Sequence, residues 1–197
     1  MKKFAILLLF IGSQAWSQSL SEQETDLANY ELNESSLHMQ KVLDGLTPKQ
    51  LNFKPSPEAW SIAECVEHLA IAETNLFGLL QKSLETPADP SKRSEVKMTD
   101  AEVVPMITDR STKVKTPKPF EPSGKFGSHE DTVKEFLKKR AATMRFVYET
   151  EADLRNHYMS MPFGTLDAYQ GLLFIAGHTQ RHVLQMEEVM ATENFPK

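Results

Sequence analysis

Four stretches of this chain repeat apolar residues at the three-and-four spacing of an amphipathic helix. The first starts near Ser19 or Ser21, each followed three residues later by an acid (Glu22, Glu24). It carries Ala28, Leu32, Met39 and Val42 toward Gly45, a helix-ending glycine. The second opens on the capping box Ser61-Ile62-Ala63-Glu64, with Trp60 placed to staple onto Cys65. It runs from about Ile62 to Glu85 and stops before Pro87. Ser128 and Asp131 open the third, in which Val133, Phe136, Leu137, Arg140, Met144 and Val147 recur up to about Glu151. The fourth takes Thr165 as its N-cap and reaches about Thr192.

The segments between them are proline-punctuated. Residues 87–127 hold six prolines and read as a connection, with one short helical stretch capped by Thr99-Asp100-Ala101-Glu102 and ending near Ile107. A second loop, containing His157, Pro162 and Gly164, leads into the fourth helix. No strand pattern competes. The predicted class is therefore all-α: a four-helix bundle with a long crossover between helices two and three.

The amino terminus reads differently from the rest. Lys2 and Lys3 precede the apolar run Phe4 to Ile11 and the small-x-small site Ala15-Trp16-Ser17, the order of a secretory signal peptide over residues 1–17. Residues 18–197 then form one domain, exported to the periplasm or secreted, with an uncleaved amino-terminal anchor as the alternative. No later stretch approaches the roughly 20 apolar residues of a transmembrane helix, so no membrane span is expected in the mature chain. Losing Lys2 and Lys3 takes 22 basic residues to 20 against 27 acidic ones, and the formal charge from −5 to −7. Lys138, Lys139 and Arg140 follow Glu135 and read as a solvated face, so no basic groove is evident and nucleic acid is not an expected partner. Cys65 is the single cysteine, which excludes an internal disulfide. The expected partner is a small-molecule substrate or ligand, with a homodimer as the assembly open to the chain.

The candidate chemistry lies in the histidines. His178 and His182 are one turn apart, on a stripe formed by Ile175, His178, His182, Gln185 or Met186, and Val189. His68, between Cys65 and Ala72 on a face continued by Leu76, repeats this inward phase on helix two. Three neutral imidazole nitrogens suit zinc or nickel and leave an open place for water, whose pKa the ion would lower toward about 7. Affinity for such an ion is expected to fall below about pH 6, where protons compete for the same nitrogens. The competing reading is a metal-free bundle with buried neutral histidines.

Neighbouring residues divide between roles in the same way. Gln185, on the face of His182, either orients a ligand from behind or satisfies backbone groups. Cys65 packs under Trp60 or gives a thiolate ligand. Glu64 reads as the capping partner of Ser61, Glu67 is one residue off the inward phase, and Glu73 suits a salt bridge. His157 and His129 read as exposed, and His38 lies at the margin of the first stripe.

Taken together, Trp60-Ser61-Ile62-Ala63-Glu64 with His68-Leu69 and Glu73, then Phe163-Gly164-Thr165-Leu166, then His178-x-x-Arg181-His182-x-x-Gln185 resemble the DinB-like superfamily, in the spacing of its second subgroup. The resemblance implies a four-helix bundle in which His68, His178 and His182 match the metal ligands, typically of zinc, nickel or a similar divalent ion. It also implies, more loosely, transferase or isomerase chemistry with low-molecular-weight thiols, or hydrolysis. Those thiols are cytoplasmic, so the signal peptide departs from that part of the pattern. The expectation is an exported metal-dependent hydrolase or transferase with its catalytic residues unassigned. The alternative is a non-enzymatic, stress-associated module holding a metal or ligand.

Overall fold

The structure, a computed structural model, describes residues 19–112 and 114–197. The signal peptide assigned to residues 1–17 lies outside the described residues. Four long helices form the bundle: α1 (Glu22–Leu43), α3 (Ile62–Ser83), α5 (His129–Glu149) and α6 (Ala168–Met190). Two shorter ones lie between them, α2 (Pro48–Leu51) and α4 (Asp100–Thr108). The expected starts of the first three long helices hold because their caps do. Ser21, Ser61 and Ser128 each accept a hydrogen bond from the third backbone N–H of the helix they open. In α1 and α3 the N3 glutamate also accepts the cap's own N–H, at 2.8 Å for Glu24 and 2.7 Å for Glu64.

Around the bundle, α1 packs on α6, α6 on α3, α3 on α5 and α5 on α1. Two apolar clusters fill its ends. The start of α1, the ends of α3 and α5 and the start of α6 meet in one, through Leu32, Leu80, Val147 and Leu172. The opposite ends meet in the other, through Met39, Val66, Phe136 and Val183. Helices α3 and α5 therefore run parallel and are neighbours. Parallel neighbours cannot be joined by a tight turn, which is why the connection between them must travel the length of the bundle.

That connection carries α4, which lies on α6. The contact is close because Gly177 has no side chain: a Cβ there would stand 2.3 Å from Ile107 Cγ2 and 3.4 Å from Val104 Cα. The guanidinium of Arg181, one turn on, donates to the carbonyls of Ile107, Asp109 and Thr112 and holds the end of the helix down.

The fourth helix begins differently from expectation. Thr165 is not its cap but part of a hairpin, β1 (Tyr158–Met161) and β2 (Gly164–Asp167), paired antiparallel with Ser160 opposite Thr165. Asp167, two residues on, caps α6 by accepting from the Gln170 N–H at 2.7 Å. Both residues are good caps; the pairing across a two-residue turn decides between them. Among the described residues, no helix is long and apolar enough to cross a membrane.

Candidate metal centre

His68 lies in the second turn of α3, and His178 and His182 lie on successive turns of α6, between the residues that helix gives to the two apolar clusters. Their ligand atoms fall within 4.8 Å of one another. The Nε2 atoms of His68 and His178 are 3.3 Å apart, and the ring centroids of His68 and His182 are 4.3 Å apart. His68 is 2% exposed and His182 7%, while His178 is partly exposed. The inward phase read for all three is what the structure shows.

The other face of two of these rings is already used. His68 Nδ1 donates to the carbonyl oxygen of Phe120 at 2.7 Å, and His182 Nδ1 donates to Gln185 Oε1 at 2.9 Å. A proton fixed on Nδ1 leaves the Nε2 lone pair facing inward, the arrangement that ligating histidines use. Gln185 thus accepts from His182, and Arg110 donates to the same amide oxygen at 3.5 Å. Burial holds His178 and His182 well below the ordinary imidazole value, reinforced by the neighbouring imidazoles. Burial also lowers His68, against the opposing effect of its bond to Phe120. Three neutral nitrogens with depressed proton affinity are a donor set that fits a divalent ion.

Trp60 flanks the rings, with its centroid 4.9 Å from that of His68 and stacked 6.0 Å from that of His182. On the opposite side, Phe174 stacks 6.1 Å from His178 and is itself covered by Phe163 from the hairpin tip, at 5.5 Å. A cleft of about 500 Å³ reaches His182 from solvent between Trp60, Arg110, Lys115, Arg181 and Gln185. The centre is thus flanked by aromatic rings and reached at His182 by this cleft.

The neighbouring acids and the remaining histidines sort themselves by partner. Glu64 is spent on its cap and on Lys54 Nζ at 3.0 Å. Glu73 pairs with Arg140 in the bundle interior, so Arg140 is buried rather than on the solvated face expected of it. Glu67 is also buried, not idle, and accepts the backbone N–H groups of Ser123, Gly124 and Lys125. Burial alone would raise its carboxyl, but those three bonds outweigh it and hold it below the usual glutamate value. Cys65 is fully buried and lies outside the converging group; burial pushes its thiol up to about 12. His157, expected to be exposed, is buried between the carbonyls of Asp153 and Thr86. His129 is half-buried, and His38 bridges α1 to Gln180 and Glu187 of α6.

Comparison with known proteins agrees with this architecture. The solved structure of YfiT from Bacillus subtilis, described as a probable metal-dependent hydrolase with an unusual four-helix bundle topology, superposes with a TM-score of 0.59 at 14% identity, covering 88% of this chain and 89% of that one. At that identity the likeness is one of fold. The uncharacterized protein YuaE of Bacillus subtilis (strain 168) is 29% identical over 163 residues, spanning 80% of this chain and 93% of its own. The DinB superfamily model matches residues 32–186, a span holding all three histidines of the centre and most of the bundle, and the chain therefore belongs to the DinB superfamily.

Proposed function

We propose that this chain is a metal-dependent hydrolase or transferase acting on a small molecule, with His68, His178 and His182 as the protein ligands of one divalent ion, zinc or nickel. The observation that carries the reading is the convergence of three imidazoles within 4.8 Å of one another beside an open cleft. When bound, such an ion supplies Lewis acidity and lowers the pKa of water at its open position toward about 7. The chain's own residues do the rest. Phe120 and Gln185 fix two of the rings from behind, Trp60 gives the cleft an apolar wall, and Arg110 and Lys115 place positive charge at its mouth. Glu64, Glu67 and Glu73 are committed to other partners, which leaves the proton acceptor of the reaction unassigned.

A structural metal in a non-enzymatic module is the second reading. Structural zinc sites are usually closed by four protein ligands, whereas the converging group among the described residues has three. The open cleft favours chemistry. We further propose that the domain acts outside the cytoplasm after removal of residues 1–17; intact-mass measurement of the natively expressed protein should give a chain starting near Gln18, and a chain starting at Met1 in the cytoplasm would reverse this. The enzyme reading is tested by stripping the ion, reloading with zinc or nickel, and assaying small esters, amides and thiol transfer. Turnover should follow metal loading and vanish in His182→Ala; equal turnover by the stripped protein contradicts it.

A further inference from the structure

Glu67 and His68 are consecutive on α3 and hold two points of the same loop. The Glu67 carboxylate, 8% exposed, accepts from the N–H groups of Ser123 at 3.0 Å, Gly124 at 2.8 Å and Lys125 at 3.0 Å, with the Ser123 hydroxyl at 3.4 Å. His68 Nδ1 donates to the Phe120 carbonyl, three residues before that triple contact, at 2.7 Å. Three consecutive amides point at one carboxylate because Gly124 sits at φ +74, the left-handed conformation that turns a short segment into a concave anion-binding nest. The rings of Phe120 and Phe126 join the apolar clusters and locate the loop against the bundle. The Phe120–Glu121 peptide is oriented within its own turn by the Glu121 N–H, which donates to the Lys118 carbonyl at 3.2 Å; what the Glu67 grip adds is where that turn lies against His68.

We infer that Glu67 is a positioning residue for the metal centre: by gripping the amides of Ser123–Lys125 it fixes the Phe120 carbonyl, which holds the proton of His68 on Nδ1 and presents Nε2 to the ion. This rests on the metal-binding reading above. A carboxylate is required because it offers two acceptor oxygens to three donors. Glutamine at this position would turn an NH2 group toward one of them. Loss of the grip lets the turn that carries the Phe120 carbonyl move off the bundle, and His68 then loses the acceptor that sets its tautomer.

The test uses the full chain with Glu67→Gln, Glu67→Ala and Gly124→Ala, the last of which strains the nest from the loop side where a Cβ meets nothing within 4 Å. Thr47→Ala, which removes the cap of the short helix α2 and touches neither Glu67 nor the 120–125 loop, controls for general loosening. Two quantities are read, the imidazole 15N shifts of His68 in the metal-free protein and zinc affinity by chelator competition, with amide exchange at residues 123–125 reporting whether the grip is lost. Wild type should show the Nδ1–H tautomer. The Glu67 and Gly124 variants should show mixed tautomers and bind zinc about 10–100-fold more weakly, while Thr47→Ala lowers the melting temperature and leaves both readouts alone. Faster amide exchange at residues 123–125 with an unchanged tautomer and unchanged affinity overturns the inference, as does unchanged exchange in Glu67→Gln. If wild type fails to bind zinc while the tautomer still shifts in the variants, the metal reading fails and the positioning of His68 by Glu67 stands.

Discussion

Glu73 and Arg140 meet in the bundle interior as a two-pronged ion pair, with Nε to Oε1 and Nη2 to Oε2 both at 2.9 Å and neither side chain more than 2% exposed. The remaining polar atoms are satisfied by the other helices. Arg140 also donates to the Leu32 carbonyl, to Ser35 Oγ and to Thr179 Oγ1, and Glu73 also accepts from Thr143. One pair thus links α1, α3, α5 and α6, and its contact on α6, Thr179, is one residue along the chain from His178. A slip of any helix would break it, so the register of all four helices is tied to this one buried pair.

Removing one partner leaves the other charge buried. Glu73→Ala or Arg140→Ala should therefore cost about 3–5 kcal/mol in denaturant unfolding, whereas the double variant Glu73→Leu with Arg140→Met should recover most of that loss. A double variant as unstable as the singles would mean that the outer partners, not the charge pair, dominate.

The sequence carried the helices well because each long helix combines a cap with a periodic stripe, and both are local. His68, His178 and His182 were legible for the same reason: phase alone put them inward. What stayed hidden depends on partners far along the chain. Arg140 fell on the buried stripe and in a basic cluster at once, and only the acid 67 residues earlier decides between them. Glu67 and His157 bond to backbone groups, which leave no trace in a pattern of side chains. The hairpin strands are four residues each, too short for alternation to stand out against Thr165 as a cap.

Gln185 is expected to act through His182. Gln185→Leu removes the acceptor for the Nδ1–H while keeping volume, so metal affinity should drop about 10–100-fold with little change in melting temperature of the metal-free protein. Chelator competition and a thermal scan check both halves. Wild-type affinity in the variant would return Gln185 to a packing role.

Acid should weaken the metal-free fold in a definite direction. Burial holds all three centre histidines below the ordinary imidazole value, so the native state stays neutral where the unfolded chain, titrating near about 6.5, takes up protons. Stability is then fully present above about pH 6.5 and is lost progressively as pH falls toward the lower native values. The same depression moves the loss of metal affinity to lower pH than the value near 6 expected from an unperturbed imidazole. Denaturant midpoints and zinc affinity measured across this range check both; stability of the stripped protein that rose on acidification would contradict the buried, neutral state.

His157 bonds to the Asp153 carbonyl at 2.7 Å and to the Thr86 carbonyl at 3.0 Å, joining the end of α3 to the turn before the hairpin. His157→Phe removes both contacts, but the Asp153 carbonyl keeps the Asn156 N–H and Thr86 is exposed, so the cost should be about 0.5–1.5 kcal/mol, without altering zinc affinity. A loss of affinity equal to that of a ligand substitution would place His157 in the centre after all.

Metal stoichiometry and affinity, measured by zinc titration of stripped wild type beside the His68→Ala/His178→Ala/His182→Ala triple variant, test the shared centre most directly. The expected result is one ion per chain in wild type and none held at the same affinity in the triple variant, with both proteins helical. An ion bound with wild-type affinity by the triple variant would contradict a centre built from these three imidazoles.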